Sequence, residues 1–311
     1  MPTKEKRIVS LLPSTTEIIA ALGLKNQIVG RSHECDFPSS VQSLPACTQP
    51  KFNPNGQNYQ INERVKALLQ EGLSVYRVDA ERLAKLNPDF IITQDHCKVC
   101  AASVDEVKKA TQKHLQSTVE IISVSPTNVS QVYDSITQIA EALDVVEAGV
   151  DLIKSMRDDL SSLKEQTKSL SNKTLLCIEW LDPLMSAGNW VPELAKIAGA
   201  ETLATEAGVH SPWINWENIV ALNPQVICIM PCGYSIEDSI AEMHTLTAKE
   251  EWNDLKAVQN RQVFIMDGHH YFNRPGPRLT QSARILAEVL HPSPEPLFKT
   301  KGWVNFFEQN R

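Results

Sequence analysis

The segment TQDHCKVC, residues 93–100, places two cysteines three positions apart beside a histidine and an aspartate. Thiolates at this spacing bind soft metal ions, and a structural zinc site needs four such ligands. The sequence contains no second Cys-x-x-Cys, but His33 and Cys35 follow another predicted strand of the same half. We therefore predict a site for zinc or iron formed by His33, Cys35, Cys97 and Cys100.

Other roles for these cysteines rank lower. Ser103-x-x-Glu106 is typical of a helix cap, which leaves both thiols in the preceding loop, away from the first-turn amides that lower a thiol pKa. A nucleophilic cysteine needs a nearby base, and the candidates are His33, His96 and Asp95. The order of these residues along the chain matches no recognised protease or hydrolase. Buried or idle thiols rank second and covalent catalysis third.

The composition limits the classes of partner. With 311 residues the chain exceeds the usual size of one core, so two lobes are expected. A net charge of −7 gives no basic surface for nucleic acid or an anionic membrane. The sequence shows no signal-peptide pattern and no apolar run near the ~18 residues of a membrane span. We predict a cytoplasmic protein, in which seven cysteines, an odd number, form no disulfide framework.

The chain contains an internal repeat. VDAERLAKLNPDFIIT (78–93) and INWENIVALNPQVICI (214–229) each read as a short helix, Leu-Asn-Pro, one polar residue and a buried strand. Upstream, each half has a predicted strand followed by a turn and a helix: RIVSLL and EIIAALG in the first half, KTLLCIEW and ELAKIAG in the second. Each half also ends with a further predicted strand, VEIISVSP in the first and QVFIMDG in the second. Strands alternating with helices predict an α/β fold with parallel sheets covered on both faces. The first half carries about 40 extra residues, including the predicted surface loop QPKFNPNGQNYQ.

Two helical patterns lie between the halves. Apolar residues recur there at spacings of three and four: Val129, Val132, Ile136, Ile139, Leu143, then Val150, Ile153, Leu160 and Leu163. The second pattern predicts one rigid helix from about Val146 to Leu170. We predict an N-terminal lobe at 1–127, a helical linker at 128–170 and a C-terminal lobe at 171–311.

Two similar lobes joined by one long helix resemble the class III solute-binding proteins, which receive vitamin B12 and ferric-siderophore chelates. RIVSLLPSTTEIIAALGLKNQIVG is the most typical stretch, and LNPDFIIT is the second. SHECD, QDHCKVC, EWLDP, AGNWVPE, HSPW, MPCG and YFNRPGPR resemble a cobalamin-binding branch. The resemblance implies a corrinoid or another metal chelate as the ligand, bound in the cleft between the lobes.

Two departures from related patterns affect this expectation. Members of the family that serve transporters carry an export signal or a lipoprotein cysteine, which this sequence does not show, and this argues against a transporter partner. The Asp-x-His-x-x-Gly signature of cobalamin-dependent enzymes is incomplete, because Phe272 stands where glycine is needed. Base-off cobalt ligation of that type is therefore not expected.

The predicted ligand site follows from the parallel sheets, since such sheets bind ligands outside the carboxyl ends of their strands. The polar and aromatic residues at predicted strand ends are Ser14, Thr15, Arg31, Asp95, Glu179, Trp180, Asn189, Trp190, His210, Trp213, Cys232, Tyr271, Asn273, Arg274 and Arg278. Trp180, Trp190, Trp213 and Tyr271 are expected to contact a large flat ligand. Arg274 and Arg278 bracket a stiff Pro-Gly-Pro turn and are suited to a carboxylate or phosphate.

Each group has a structural alternative. Ser14-x-x-Glu17 is typical of a helix capping box. The tryptophans, including Trp216, are also suited to a core, and the two arginines to a helix cap at the surface. Glu179 and His210 are each unremarkable alone.

Two functions fit these patterns. One is a cytoplasmic ligand-binding protein for a corrinoid or similar metal chelate, which the resemblance favours. The other is an enzyme that uses the cysteine, histidine and carboxylate cluster of the cleft on a small substrate. A metal-binding protein is a further alternative. No catalytic residue is assigned.

Overall fold

The computed structural model describes residues 5–70, 75–94, 106–109 and 119–309. The chain forms two compact units. The first contains residues 1–56, 63–126 and 130–154, and the second contains residues 57–62, 127–129 and 155–311. Within the described ranges, no helix is both long enough and apolar enough to cross a membrane.

Strands and helices alternate along most of the chain. The strands are β1 (Ile8–Ser10), β2 (Ile28–Arg31), β3 (Thr48–Pro50), β4 (Tyr76–Val78), β5 (Phe90–Gln94), β6 (Glu120–Val124), β7 (Lys173–Leu181), β8 (Leu184–Ser186), β9 (Ala200–Thr202), β10 (Val226–Ile229), β11 (Val263–Met266) and β12 (Trp303–Asn305). The helices are α1 (Pro13–Ala21), α2 (Asn58–Gln70), α3 (Ala80–Leu86), α4 (Val129–Ala142), α5 (Val146–Thr167), α6 (Val191–Ile197), α7 (Trp216–Leu222), α8 (Ile236–Glu242), α9 (His244–Thr247), α10 (Lys256–Gln259) and α11 (Leu279–Leu290).

The first unit is built on a parallel sheet in the order β2-β1-β5-β6. Val9 of β1 lies opposite Ile91 of β5, and Ile91 lies opposite Ile121 of β6. These apolar residues pack with Leu83 of α3 in the core of the unit. Because the strands are parallel, their carboxyl ends lie at one edge of the sheet.

The second unit has a larger sheet in the order β12-β11-β10-β7-β8, with β9 also paired to β7. Strands β7, β9, β10 and β11 are parallel, which confirms the predicted α/β fold. The sheet departs from the prediction at its edges, where β8 and β12 run antiparallel. Only Asp182 and Pro183 separate β7 from β8, and so short a connection permits antiparallel pairing alone.

The repeated segments fold in the same way, down to their caps. Asp79 and Asn215 cap the first turns of α3 and α7 with their side chains. Both helices end at an asparagine in the left-handed conformation, Asn87 with φ 42° and Asn223 with φ 43°. Asparagine tolerates this conformation, and the proline that follows prevents continuation of the helix. Helix α4 and helix α5 are also confirmed, although α5 ends at Thr167 instead of Leu170.

Helices α4 and α5 do not form a unit of their own. Nearly all of α4 belongs to the first unit, whereas α5 passes from the first unit to the second between Lys154 and Ser155. Ile136 and Ile139 of α4 are fully buried, as the apolar spacing requires.

Two local predictions are wrong. Ser14 does not cap α1, because the helix begins at Pro13 with Leu12 at the N-cap and without a side-chain cap. Proline is favoured at the first helical position, since its fixed φ fits and its missing N–H needs no partner there. The segment 49–60 is a loop only in part, because Asn58 begins α2. Asn58 is buried in the second unit, where its Oδ1 accepts the backbone N–H of Leu181 at 3.0 Å.

Candidate functional site

The predicted ligand-site residues divide between the two units. Ser14, Thr15 and Arg31 belong to the first unit. Asp95, Cys97 and Cys100 lie outside the described residues. The others belong to the second unit: Glu179, Trp180, Asn189, Trp190, His210, Trp213, Cys232, Tyr271, Asn273, Arg274 and Arg278.

The second unit brings the carboxyl ends of β7, β10 and β11 together. The backbone N–H of Cys232 donates to the carbonyl of Glu179 at 3.1 Å, and that of His269 donates to Tyr234 at 3.0 Å. Gly268 lies so close to β10 that an added Cβ would be 2.2 Å from the carbonyl oxygen of Pro231. We call the residues 179–180, 230–234 and 267–273 the strand-end surface.

A five-residue π-helical turn, Gly268–Phe272, forms one side of the strand-end surface. Asp267 caps the turn by accepting the backbone N–H of His270 at 2.8 Å. At the other end, the carbonyl of Phe272 accepts the indole N–H of Trp190 at 2.9 Å. Asn273 donates to the carbonyl of Gly268 at 3.0 Å, so both ends of the turn are fixed.

Two adjacent histidines on this turn have different partners. Nδ1 of His270 lies 2.7 Å from Oδ2 of Asp267, and Nε2 of His269 lies 2.8 Å from the guanidinium of Arg274. The rings are nearly perpendicular, with centroids 4.6 Å apart. Neither histidine was predicted from the sequence as a site residue. The available signal was Asp-Gly-His-His directly after a buried strand, with the aspartate three residues before His270.

Arg274 and Arg278, next to the strand-end surface, are buried. The alternative that they are surface arginines capping the next helix is therefore wrong as to their exposure. Arg274 is 4% exposed and bonds His269, and Arg278 is 8% exposed and lies over the ring of Tyr271 at 5.5 Å. Arg278 also stands at the N-cap of α11 without a side-chain cap bond. Buried guanidinium groups are stable only with acceptors or aromatic faces around them. Their contact with a ligand stays a prediction.

Glu179 is oriented by a loop between β9 and α7. The hydroxyl of Ser211 donates to Oε2 of Glu179 at 2.7 Å and accepts the backbone N–H of Gly188 at 3.0 Å. His210 is exposed, and its Nδ1 lies 3.1 Å from the carbonyl of Ser211. The loop thus fixes the carboxyl group of Glu179 while the ring of His210 remains at the surface.

The tryptophans fall into two groups. Trp213 is 58% exposed, and Trp180 is partly exposed with its ring edge-on to Tyr234 at 5.7 Å. Burial raises the pKa of Tyr234 to about 12, so it stays a neutral phenol. Trp190 and Trp216 are buried, as the core alternative for these two residues expects.

Asn189 adopts an unusual conformation in the loop before α6. It has a left-handed φ of 53° and is 8% exposed. Its backbone N–H donates to Val209 at 2.7 Å, and its carbonyl accepts the N–H of Gly208 at 2.9 Å. These bonds tie the loop before α6 to the loop that orients Glu179.

In the first unit, His33 is held as a neutral imidazole. Its Nδ1 lies 2.8 Å from the hydroxyl of Thr48, and that hydroxyl donates onward to Ser32. The ring also contacts Tyr76, with centroids 5.1 Å apart. Burial, helped by the positive charge of Arg31, lowers the pKa of His33 to about 4.

The other predicted residues of the first unit are buried or bonded to their own loop. The Cys35 thiol is buried and accepts the hydroxyl of Thr16 at 3.0 Å. Ser14 and Thr15 are buried in α1, and the guanidinium of Arg31 donates to the carbonyl of Ser32 at 2.9 Å. Since Cys97 and Cys100 lie outside the described residues, the zinc or iron site stays a prediction.

The depressed pKa of His33 predicts acid sensitivity. The unfolded chain binds a proton near pH 6.5 and the folded state only near pH 4, so the free energy of unfolding falls as the pH drops between these values. We expect His33→Asn, which retains a donor toward Thr48, to lose less stability than the parent between pH 7 and pH 5 in urea unfolding. Equal losses in the two proteins would contradict this prediction.

Most of the chain matches the model of one known protein family. Residues 8–269 match the family model described as periplasmic binding protein. This range contains both strand-helix repeats and the strand-end surface as far as His269.

Individual relatives are distant but cover nearly the whole chain. An uncharacterized ABC transporter substrate-binding lipoprotein of Bacillus subtilis is 26% identical over 296 residues, covering 92% of this chain and 80% of that protein. A vitamin B12-binding protein of Vibrio cholerae is 24% identical over 292 residues, covering 93% and 90%. The crystal structure of a periplasmic heme binding protein from Pseudomonas aeruginosa superposes with a TM-score of 0.71 at 19% identity, covering 96% and 97%. This structural likeness establishes the fold alone.

Proposed function

Since the chain belongs to the periplasmic binding protein family, we propose that it binds a flat metal chelate, a corrinoid or a haem. The observation that carries the proposal is the strand-end surface. It combines partly exposed aromatic rings, Trp180 and Tyr234, with two imidazoles, His269 and His270. Flat ligands are bound by aromatic faces, and metal centres by imidazole nitrogen. Two proteins similar to this chain are named for vitamin B12 and for heme, which supports the same ligand class.

The thiols of the described residues favour binding over catalysis. A reactive cysteine needs an accessible thiolate. Burial raises the pKa of Cys47 to about 11, and burial beside Cys177 raises that of Cys228 well above its ordinary value. Cys35 is buried as well, which leaves Cys232 as the partly exposed thiol in the described part of the chain.

The cytoplasmic location stays a prediction.

A fluorescence titration tests the proposed function. Aquocobalamin, cyanocobalamin and ferric protoporphyrin IX are added separately to the purified protein. We expect saturable quenching of tryptophan fluorescence by at least one of them, because Trp180 and Trp213 are accessible to a chelate that absorbs their emission. If none of the three chelates changes the emission or binds in equilibrium dialysis, the proposed function is wrong.

A substitution tests whether the ligand binds on the strand-end surface. We expect Trp180→Leu to lower chelate affinity by up to about tenfold, since an aromatic stacking contact contributes as much as ~1.5 kcal/mol beyond its area. Phe307→Leu is the matched control, because Phe307 lies beside Arg261, which precedes β11 and marks the opposite edge of the sheet. Equal affinities for the two variants would place the ligand elsewhere.

A further inference from the structure

We propose that a second cavity of this protein binds a small zwitterion with an apolar side chain, that is, an apolar α-amino acid. The cavity lies in the second unit, where the β7–β8 hairpin meets the start of α7 and helix α9. We call it the hairpin cavity. None of the residues that line it belongs to the strand-end surface. The inference therefore goes beyond the proposed function and does not depend on it.

The floor of the hairpin cavity is apolar and already in place. Leu181, Leu184, Trp216 and Leu246 line it, and each is at most 9% exposed. All four also belong to the hydrophobic core of the second unit, so packing on their other sides fixes them. A preformed apolar floor favours an apolar ligand group, because that group leaves water without any need to order the protein.

Two residues of opposite charge line the same cavity. Asp182 and Lys249 are both exposed. Within the described residues, neither side chain forms a hydrogen bond or an ion pair. The hydrogen bond from Trp216 lowers the pKa of Glu251, and the positive charge of Lys249 contributes to this effect. An ammonium group beside Asp182 and a carboxylate beside Lys249 would complement both charges at once. A ligand with one charge would complement only one of them.

The neutral polar residues of the cavity are already engaged. Oδ1 of Asn215 accepts the backbone N–H of Asn218 at 2.8 Å. The hydroxyl of Thr245 donates to the carbonyl of Glu242 at 2.9 Å. Recognition therefore depends on the two charges, which favours a zwitterion over a neutral polyol.

The size of the hairpin cavity limits the ligand to a small molecule. Its volume is about 240 Å³. Pockets for drug-sized ligands measure about 300–1,000 Å³. At ~30 Å³ for each water, the cavity has room for roughly eight water molecules, or for a ligand of on the order of ten non-hydrogen atoms. A corrinoid or a haem is excluded by this volume, whereas an amino acid such as leucine fits it.

Hydrogen bonds hold the hairpin that carries Asp182. The carbonyl of Asp182 accepts the indole N–H of Trp180 at 3.1 Å. The backbone N–H of Ile214, another residue of the cavity, donates to the carbonyl of Leu184 at 3.0 Å. The walls of the cavity are thus tied to one another before a ligand arrives, which favours binding.

Four small ligands test which features are recognised. L-leucine has both charges and the apolar side chain, 3-methylbutylamine lacks the carboxylate, 4-methylpentanoate lacks the ammonium group, and glycine lacks the side chain. In calorimetric titrations of the purified protein we expect saturable binding of L-leucine. Each singly charged ligand should bind about two- to fivefold more weakly, which is the scale of exposed ion pairs. Glycine should bind at least about tenfold more weakly, since it buries no apolar side chain.

Two variants assign each charge to its partner. Asp182→Asn should weaken L-leucine and 3-methylbutylamine by about two- to fivefold and leave 4-methylpentanoate unchanged. Lys249→Gln should weaken L-leucine and 4-methylpentanoate by the same factor and leave 3-methylbutylamine unchanged. Both residues are exposed, so both variants are expected to fold like the parent. Asp254→Asn and Lys256→Gln, which change exposed charges of the same unit outside the cavity, are the matched controls and should alter no affinity.

The result that would overturn the inference is equally specific. It is wrong if L-leucine does not bind, if glycine binds as tightly as L-leucine, or if the losses in the two variants do not follow the charge of the ligand. The chelate titration is separate from this test. A protein that binds L-leucine but none of the chelates refutes the proposed function alone, and the converse result refutes this inference alone.

Discussion

Gly268→Ala is expected to lower the free energy of unfolding by about 3 kcal/mol and to weaken chelate binding. The added Cβ would lie 2.2 Å from the carbonyl oxygen of Pro231 and 2.7 Å from that of Met230. These are backbone atoms of the loop after β10, and hydrogen bonds hold them in place: the N–H of Met230 donates to the carbonyl of Ile178, and the carbonyl of Pro231 accepts the N–H of Tyr234. The cost is at the upper end of the ~1–3 kcal/mol that overpacking causes. Urea unfolding followed by circular dichroism measures it.

Gly233→Ala is the matched control for this prediction. Gly233 lies on the same strand-end surface with φ 79°, and an added Cβ would meet nothing within 4 Å. Alanine there suffers only the left-handed conformation, about 1 kcal/mol. The prediction fails if the two variants are equally stable, because the close approach at Gly268 would then have no energetic consequence.

The repeat and its parallel strands could be predicted from sequence because they depend on local signals. Asn87 and Asn223 each follow a helix and precede a proline, and both adopt the same left-handed cap. These helix-end signals lie within about ten residues of sequence, so they can be recognised without knowledge of distant contacts. The same holds for α4 and in part for α5, where Ile153, Leu160 and Leu163 are buried as the apolar spacing predicts but Val150 is 60% exposed.

The errors have equally local causes. At α1 two start signals compete, and Pro13 prevails over the side chain of Ser14. At Asn58 the sequence suggests a loop, but the buried amide bonds the backbone of Leu181 more than a hundred residues away. Sequence spacing contains no information about such a partner.

The candidate site could be predicted as a region but not as an arrangement. The rule for parallel sheets predicted Glu179, Cys232 and Arg274 at strand ends. In the structure Glu179 lies within β7, near its carboxyl end, Cys232 follows β10, and Arg274 comes only after the π-helical turn that follows β11. The rule could not tell the two adjacent histidines apart, because they differ only in their hydrogen-bond partners. His270 bonds a carboxylate, and His269 bonds a guanidinium. For Trp190 the sequence left contact with a ligand and burial in the core as alternatives, because the acceptor of its indole N–H, the carbonyl of Phe272, lies 82 residues away.

Gly268 and Phe272 therefore act together, one at each end of the π-helical turn. Gly268 permits the turn to approach β10, and the buried ring of Phe272 keeps the turn from moving outward. Both constraints act on His270, which lies midway between them. A change at either end should disturb the imidazole without touching it.

Phe272→Ala is expected to destabilise the protein by about 3–5 kcal/mol. The side chain is 1% exposed and among the largest that are fully buried, so its removal leaves a cavity as well as lost apolar burial. Phe272→Leu should cost much less, because it retains most of the volume. Leu297→Ala is the surface control, since Leu297 is 72% exposed, and we expect a change within about 0.5 kcal/mol.

The same variants separate stability from positioning. Under conditions where Phe272→Leu is fully folded, its altered packing should displace the turn and weaken chelate binding, whereas Leu297→Ala should leave the chelate affinity unchanged. Urea unfolding and fluorescence titration of the same samples provide both measurements. A Phe272→Ala protein whose free energy of unfolding lies within about 1 kcal/mol of that of the parent would show that the ring does not anchor the turn.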